Sequence, residues 1–281
     1  MVYCQNKEPC IFADAASAFD WRGMTVVMPC LSMGGFSLPM FPVILLAAVG
    51  LTLFALARND AIEIEDKQFA LRALPVVLAF AAISGRGLYV AVTSHSMNEA
   101  IQLFIRGGSV FYGCLLGGAV GLLVACRHAK KSVTRIGAMY ATYVPLAQAV
   151  GRLGCYLNGC CYGIPYEGIL AVPYVVNGIP AMVFPTWFVE SAGCFAVFLL
   201  LLLSYGEHSD AQSILLYLGS YASLRFFVEF FRGDAVRGFI GPCSVSQVIS
   251  IGIVITVSAF AVRKRSRCCV RADIGKREVK E

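Results

Sequence analysis

IGAMYATYVPLAQAVGRLGCYLNGCCYG, residues Ile136 to Gly163, begins as an apolar run long enough to cross a bilayer and ends on an arginine, an asparagine and three cysteines. A guanidinium embedded in so much apolar surface has no water to solvate it, so Arg152 requires a partner or a ligand. Whether the run is a membrane helix depends on its surroundings. Of the 281 residues, 58% are hydrophobic and 14% charged, and the mean hydropathy is +0.72. That is more apolar surface than a soluble core of this length can bury, so the chain reads as an integral membrane protein.

Uninterrupted apolar stretches of about 17–25 residues span the ~30 Å hydrocarbon layer as helix. They fall near residues 37–57, 69–93, 109–126, 136–157, 184–205, 213–231 and 243–262. Barrel strands are short and alternate, whereas these runs are long and continuous. The expected fold is therefore all-α, a polytopic transmembrane bundle of about seven helices.

Lysine and arginine in the loops set the expected orientation. Arg58, Lys67 and Arg72 lie in one loop region, Arg127, Lys130, Lys131 and Arg135 in another, and the tail carries eight more from Arg263 to Lys280. On the other side Arg106 stands alone in one loop, and residues 159–183 contain no lysine or arginine. The N-terminus is expected outside and the C-terminus in the cytoplasm. The loop GEHSDAQ, Gly206 to Gln212, has neither residue and bears on neither side.

The expected organisation is an outer segment, 1–36, a membrane domain, 37–262, and a basic tail, 263–281. Acidic Glu8, Asp14 and Asp20 precede the first apolar run, which argues against a cleaved signal peptide. The net charge of +6 is concentrated in loops and tail, so it reflects topology and no nucleic-acid partner is expected. RKRSR, from Arg263, reads as a stop signal that also attracts anionic lipid.

Arg86, Arg152, Glu190, Arg225 and Glu229 fall inside the apolar runs, with Arg232 at a helix end. Ionisable groups at membrane depth are costly unless paired or wetted, which makes each a functional candidate. Tyr221, Arg225 and Glu229 are spaced four apart and share one helical face with Arg232. Arg225 and Glu229 can neutralise each other within the helix, but Arg86 and Arg152 have no local carboxylate. The unmatched positive charge suits an anionic ligand, and arginine's planar fork suits phosphate. In a membrane, that phosphate belongs to a phospholipid headgroup. GRGLY at 85–89, LLGG at 115–118 and GRLG at 151–154 supply small surfaces for close helix approach.

On these residues the chain resembles the prolipoprotein diacylglyceryl transferases of bacterial inner membranes, over roughly residues 80–262. SGRGLYV resembles the family's first arginine-tyrosine segment, and GGSVFYGCLLGG its GG-x-S-F-H-GG element. GRLGCYLNGCCYG resembles G-R-x-G-N-F-x-N-x-E-x-x-G. FPTWFVE resembles H-P-[ST]-Q-x-x-E, and YASLRFFVEFFRGD resembles Y-x-x-x-R-x-x-x-E-x-x-R-x-D. The resemblance implies transfer of the diacylglyceryl group of phosphatidylglycerol, or a similar anionic phospholipid, to the lipobox cysteine of a prolipoprotein recognised through its signal peptide. It implies catalytic roles for Arg152, Arg225, Glu229 and Tyr112, and substrate contacts for Arg86, Asn158, Gly163 and Tyr221. No metal or soluble cofactor is implied.

The departures include the groups that handle protons. The family histidines stand here as Tyr112 and Phe184, its signature asparagine as Cys155 and its signature glutamate as Cys160. The three histidines, His95, His128 and His208, fall in expected loops. Glu229 or Tyr112 is then the expected base. A different acceptor, lipid binding without chemistry, and a thiol redox function remain alternatives.

Twelve cysteines are many for a membrane protein. Most within the spans pack as small apolar residues, whereas Cys155, Cys160 and Cys161 lie close to Arg152 in sequence. A guanidinium favours the thiolate. The C-x4-C-C spacing lacks the second ligand pair of a zinc site.

Overall fold

Each of the seven apolar runs forms a helix in the computed structural model, which describes residues 30–33, 36–94, 96–106, 108–176, 179–233 and 239–278. A short antiparallel hairpin, β1 (Cys30–Met33) with β2 (Phe36–Pro39), leads directly into α1 (Met40–Arg58). There follow α2 (Ile64–Thr93), α3 (Met97–Arg106), α4 (Phe111–Ala129) and α5 (Val133–Leu157). The hairpin β3 (Val172–Val176) with β4 (Ile179–Val183) precedes α6 (Thr186–Leu203) and α7 (Asp210–Val228). A 3-10 turn (Glu229–Phe231) and the two-residue strands β5 (Phe239–Ile240) and β6 (Cys243–Ser244) lead into α8 (Val245–Glu278). The helix α8 runs through position 263 without a break, so the basic tail continues it.

Six of these helices, α1, α2, α4, α6, α7 and α8, are long and apolar enough to cross a membrane. The seventh expected span, α5, has the length but not the composition, since it carries Thr134, Arg135, Thr142, Gln148 and Arg152. Its position explains this: α1, α4, α6 and α7 pack around it, and ten of its residues are buried. A helix surrounded by protein need not match hydrocarbon. The peripheral helices present Leu46, Phe54, Leu116, Leu203 and Ile255, all more than half exposed, as a bilayer-compatible apolar belt. The sequence reading contains no counterpart of α3, whose ten residues are too few to span.

Helices α2 and α4 are in intimate contact. A Cβ on Gly117 would lie 2.4 Å from the Phe80 carbonyl oxygen, so only glycine admits this approach.

The α1–α2 and α4–α5 turns meet at one end of the bundle. Arg135 Nε lies 2.5 Å from Asp66 Oδ2 and its Nη2 2.9 Å from Glu63, and Lys131 lies 2.5 Å from Glu65. The sequence places these basic residues on one side, and the structure also matches them with acids that a count of lysine and arginine ignores. Asp66 is buried whereas Glu63 is exposed. Asp66→Ala is therefore expected to cost about 1–3 kcal/mol in thermal unfolding of the detergent-solubilised protein. Glu63→Ala is expected to cost no more than about 1 kcal/mol, because exposed pairs contribute little.

Candidate functional site

The opposite end gathers four of the charges that the sequence places inside the spans, Arg152, Glu190, Arg225 and Glu229. Chain direction does this: α5 and α7 end there, and α4, α6 and α8 begin there. Arg152 is in the next-to-last turn of α5, Glu190 near the start of α6, and Arg225 in the last turn of α7. Arg152 Nη2 is 2.6 Å from Glu190 Oε1, and Arg225 Nη1 reaches Glu190 Oε2 at 3.7 Å. Arg225 Nη2 is 2.7 Å from Glu229 Oε2, which Arg232 Nη1 approaches to 4.0 Å. The result is a chain of alternating charge running Arg152, Glu190, Arg225, Glu229, Arg232. Glu190 and Glu229 are almost fully buried, and Arg152, with 15% of its side chain exposed, is the most accessible member.

The buried Tyr221 hydroxyl makes no hydrogen bond among the described residues, and Arg225 Nη1 has only its 3.7 Å ion pair with Glu190. A buried hydroxyl without a partner is costly, which leaves Tyr221 as a donor for a ligand. Tyr221 packs on Phe111, with ring centroids 5.1 Å apart. The next residue, Tyr112, shares a 2.7 Å hydrogen bond with Ser250 of α8.

The segment after α5 is stitched into place by backbone hydrogen bonds. Ile164 N donates to Phe231 O, Gly233 N to Tyr162 O and Phe184 N to Ile164 O, at 2.9–3.0 Å. Gly163 bridges to Arg232, which ties the signature segment to the end of the charge chain. A Cβ on Gly163 would lie 2.1 Å from the Phe184 carbonyl oxygen. Gly163→Ala is expected to lower stability by about 1–3 kcal/mol through this overpacking, read as a lower unfolding temperature in detergent.

The three signature cysteines converge. The sulfurs of Cys155, Cys160 and Cys161 all lie within 4.8 Å of one another. The turn that brings them together uses two residues with positive φ, Gly159 at 74° and Cys161 at 60°. Trp187 Nε1 donates to the Cys160 carbonyl at 2.5 Å, and Thr186 Oγ1 to the Cys161 carbonyl at 2.8 Å. Trp187 is itself fixed against Tyr174 and Tyr156, at 4.5 and 5.2 Å between centroids. Hydrogen bonding from the Cys155 and Cys160 thiols, followed by the nearby Arg232 and Arg152 charges, holds the Cys161 thiol well below its ordinary range, against the opposing cost of burial. Arg152 Nη1 is 3.8 Å from Cys161 Sγ.

The structure thus unites Arg152, Arg225, Glu229 and Tyr221, with Tyr112 adjoining through Phe111. Asn158 caps α5 and directs its amide at Cys160 Sγ, 4.0 Å away. Arg86 stands apart from the ion-pair chain, donating to the Phe104 and Ile105 carbonyls at the end of α3. His128 lies in the last turn of α4 rather than in a loop, at the basic end, and His208 is in the α6–α7 turn; His95 is outside the described residues. The central residue missing from the expected site is Glu190. Its signal was the final glutamate of FPTWFVE, a carboxylate inside an apolar run.

The chain is thus an all-α, multi-pass membrane protein with a buried chain of three arginines and two carboxylates at one end of its bundle. The prolipoprotein diacylglyceryl transferase family model matches residues 29–263, and the chain belongs to that family. It is 33% identical over 198 residues to phosphatidylglycerol–prolipoprotein diacylglyceryl transferase 2 of Clostridium perfringens, covering 68% of this chain and 76% of that one. The phosphatidylglycerol–prolipoprotein diacylglyceryl transferase of Clostridium tetani is 33% identical over 189 residues, 64% of this chain and 75% of its own. That of Clostridioides difficile is 30% identical over 211 residues, 72% of this chain and 81% of its own.

Proposed function

We propose that the chain moves the diacylglyceryl group of phosphatidylglycerol to the lipobox cysteine of a prolipoprotein, in the bacterial inner membrane. The observation that carries this reading is Arg152 and Arg225 on the two sides of one carboxylate, Glu190. The basic end faces the cytoplasm and the arginine cluster faces outward, where a secreted prolipoprotein presents its cysteine.

In the reaction the acceptor sulfur forms a bond to the glyceryl carbon while the carbon–oxygen bond to phosphate breaks. The electron pair leaves on the phosphate oxygen, and glycerol phosphate departs. Arg152 and Arg225 meet the charge that develops there, in a buried site where fixed donors act strongly. The unbonded Tyr221 hydroxyl adds a third donor. Both expected bases for the thiol proton already have partners. Glu229 is paired with Arg225, and the Tyr112 hydroxyl is engaged by Ser250.

The test is transfer of labelled diacylglyceryl from phosphatidylglycerol to a lipobox peptide by the purified protein, with the thioether identified by mass. Tyr221→Phe removes a group with no hydrogen bond to lose, so the unfolding temperature should hold while kcat/KM falls about tenfold, the effect of one hydrogen bond to a charged group. A folded protein that binds the lipid but gives no thioether would sink the reading.

A further inference from the structure

We propose that Cys155, Cys160 and Cys161 hold a zinc ion as three thiolates, leaving a fourth position that takes the acceptor cysteine as a thiolate. The second part rests on the diacylglyceryl-transfer reading; the first does not.

Zinc binds thiolates at about 2.3 Å in tetrahedral geometry, which sets its sulfurs roughly 3.8 Å apart. The three sulfurs already lie within 4.8 Å of one another, so small side-chain rotations bring them to that spacing. Their backbones are fixed independently of any ion. Cys155 sits in the last turn of α5, and the carbonyls of Cys160 and Cys161 are held by Trp187 and Thr186. Cys161 adopts the left-handed conformation, which L-residues other than glycine rarely do, and its sulfur is 3.8 Å from Arg152 Nη1. Among the described residues this is the one group of three such ligands that could hold a metal ion, and all three are soft donors.

Charge and access favour the same occupant. A divalent ion with three thiolates carries one net negative charge, which the adjoining Arg152 guanidinium complements; a monovalent ion would leave two. Cys160 is buried, whereas Cys155 and Cys161 each keep part of their surface exposed. Three protein ligands with an open fourth position is the arrangement of catalytic zinc.

The site would supply the activation that Glu229 and Tyr112 are poorly placed to give. A thiol that coordinates zinc loses its proton. The bound sulfur attacks the glyceryl carbon, the carbon–oxygen bond breaks, and the electron pair goes to the phosphate oxygen beside Arg152 and Arg225. The thiol proton leaves to solvent, and no atom changes oxidation state.

The experiment uses the full chain in detergent, stripped with a chelator and dialysed against zinc. Elemental analysis should find one zinc per chain. Cys155→Ser, Cys160→Ser and Cys161→Ser should each weaken zinc binding about tenfold or more, whereas Cys194→Ser, a buried thiol outside the cluster, should not. Cobalt in place of zinc should show thiolate charge-transfer absorbance that changes on addition of a lipobox peptide, and not with the peptide whose cysteine is replaced by serine. Folded protein without stoichiometric zinc, zinc retained in the cluster variants, or a disulfide within the cluster overturns the site. Undiminished transfer by zinc-free protein overturns its role in activation. Zinc bound and cobalt absorbance responding to the peptide, but no thioether product, would uphold the site and overturn the diacylglyceryl-transfer reading.

Discussion

Arg152→Ala lowers diacylglyceryl transfer by about a hundred- to a thousand-fold, the usual loss when one preorganised donor to a developing oxyanion is removed. Arg152 is the most accessible arginine of the cluster next to Glu190, so it is the natural first contact of an incoming phosphate. The substitution also leaves the buried Glu190 carboxylate short of a partner, and breaking such a pair costs about 3–5 kcal/mol of stability. Lower activity alone would therefore be ambiguous. The double variant Arg152→Ala with Glu190→Gln separates the two effects, because it removes the stranded charge along with its partner. Unfolding temperature should recover in part while transfer stays at or below the level of the single variant. Recovery of transfer with stability would show that Arg152 only supports the fold. Arg152→Lys keeps the charge without the fork, and should retain binding of the anionic lipid better than transfer.

Glu190→Gln should lower both KM and kcat. In the wild type one carboxylate stands between Arg152 at 2.6 Å and Arg225 at 3.7 Å. Glutamine keeps the shape and one acceptor oxygen but removes the charge that holds the two guanidiniums. They then favour an external anion, so KM for phosphatidylglycerol should fall and the lipid should raise the unfolding temperature more than it does for the wild type. The same change loosens the geometry aimed at the departing phosphate, and kcat should drop about tenfold or more, since displaced donors lose transition-state stabilisation faster than ground-state attraction. Without lipid, the variant should unfold more easily by about 3 kcal/mol, as expected for a buried pair that has lost one charge. A raised KM with unchanged kcat would mean that Glu190 contacts substrate directly and does not position the arginines.

Periodicity and composition were most informative where lipid contact dictates the residues. The runs that became α1, α6 and α8 are apolar where lipid covers the helix, and both ends of α1 and α6 and the start of α8 were legible to within a few residues, whereas α8 continues to Glu278. The same logic is least direct at α5: surrounded by protein, it is freed from the demand for apolarity and carries the polar groups that the site uses. The loop after α5 was the least legible region. A β-hairpin and the left-handed Cys161 form there because Trp187, Tyr174 and Tyr156 pack over the turn, and those contacts are distant in sequence.

The site divides in the same way. Arg225 and Glu229 could be paired from a spacing of four, because one helix supplies both and its geometry is local. Glu190 was visible as a charge inside an apolar run, but its place between Arg152 and Arg225 depends on three helices meeting. Arg86 looked equivalent to Arg152 by the same rule, yet it serves the end of α3. The cysteines lacked a second ligand pair by spacing alone, and a turn with two positive φ angles supplied the missing proximity.

By itself the sequence determined that this chain is a helical membrane protein and which few ionisable groups it retains there, because the cost of transfer into hydrocarbon acts on each residue according to its type. Only the tertiary structure decided which of those groups meet. A hydrogen bond or ion pair depends on distances of a few ångströms between helices, and these are set by packing rather than by composition.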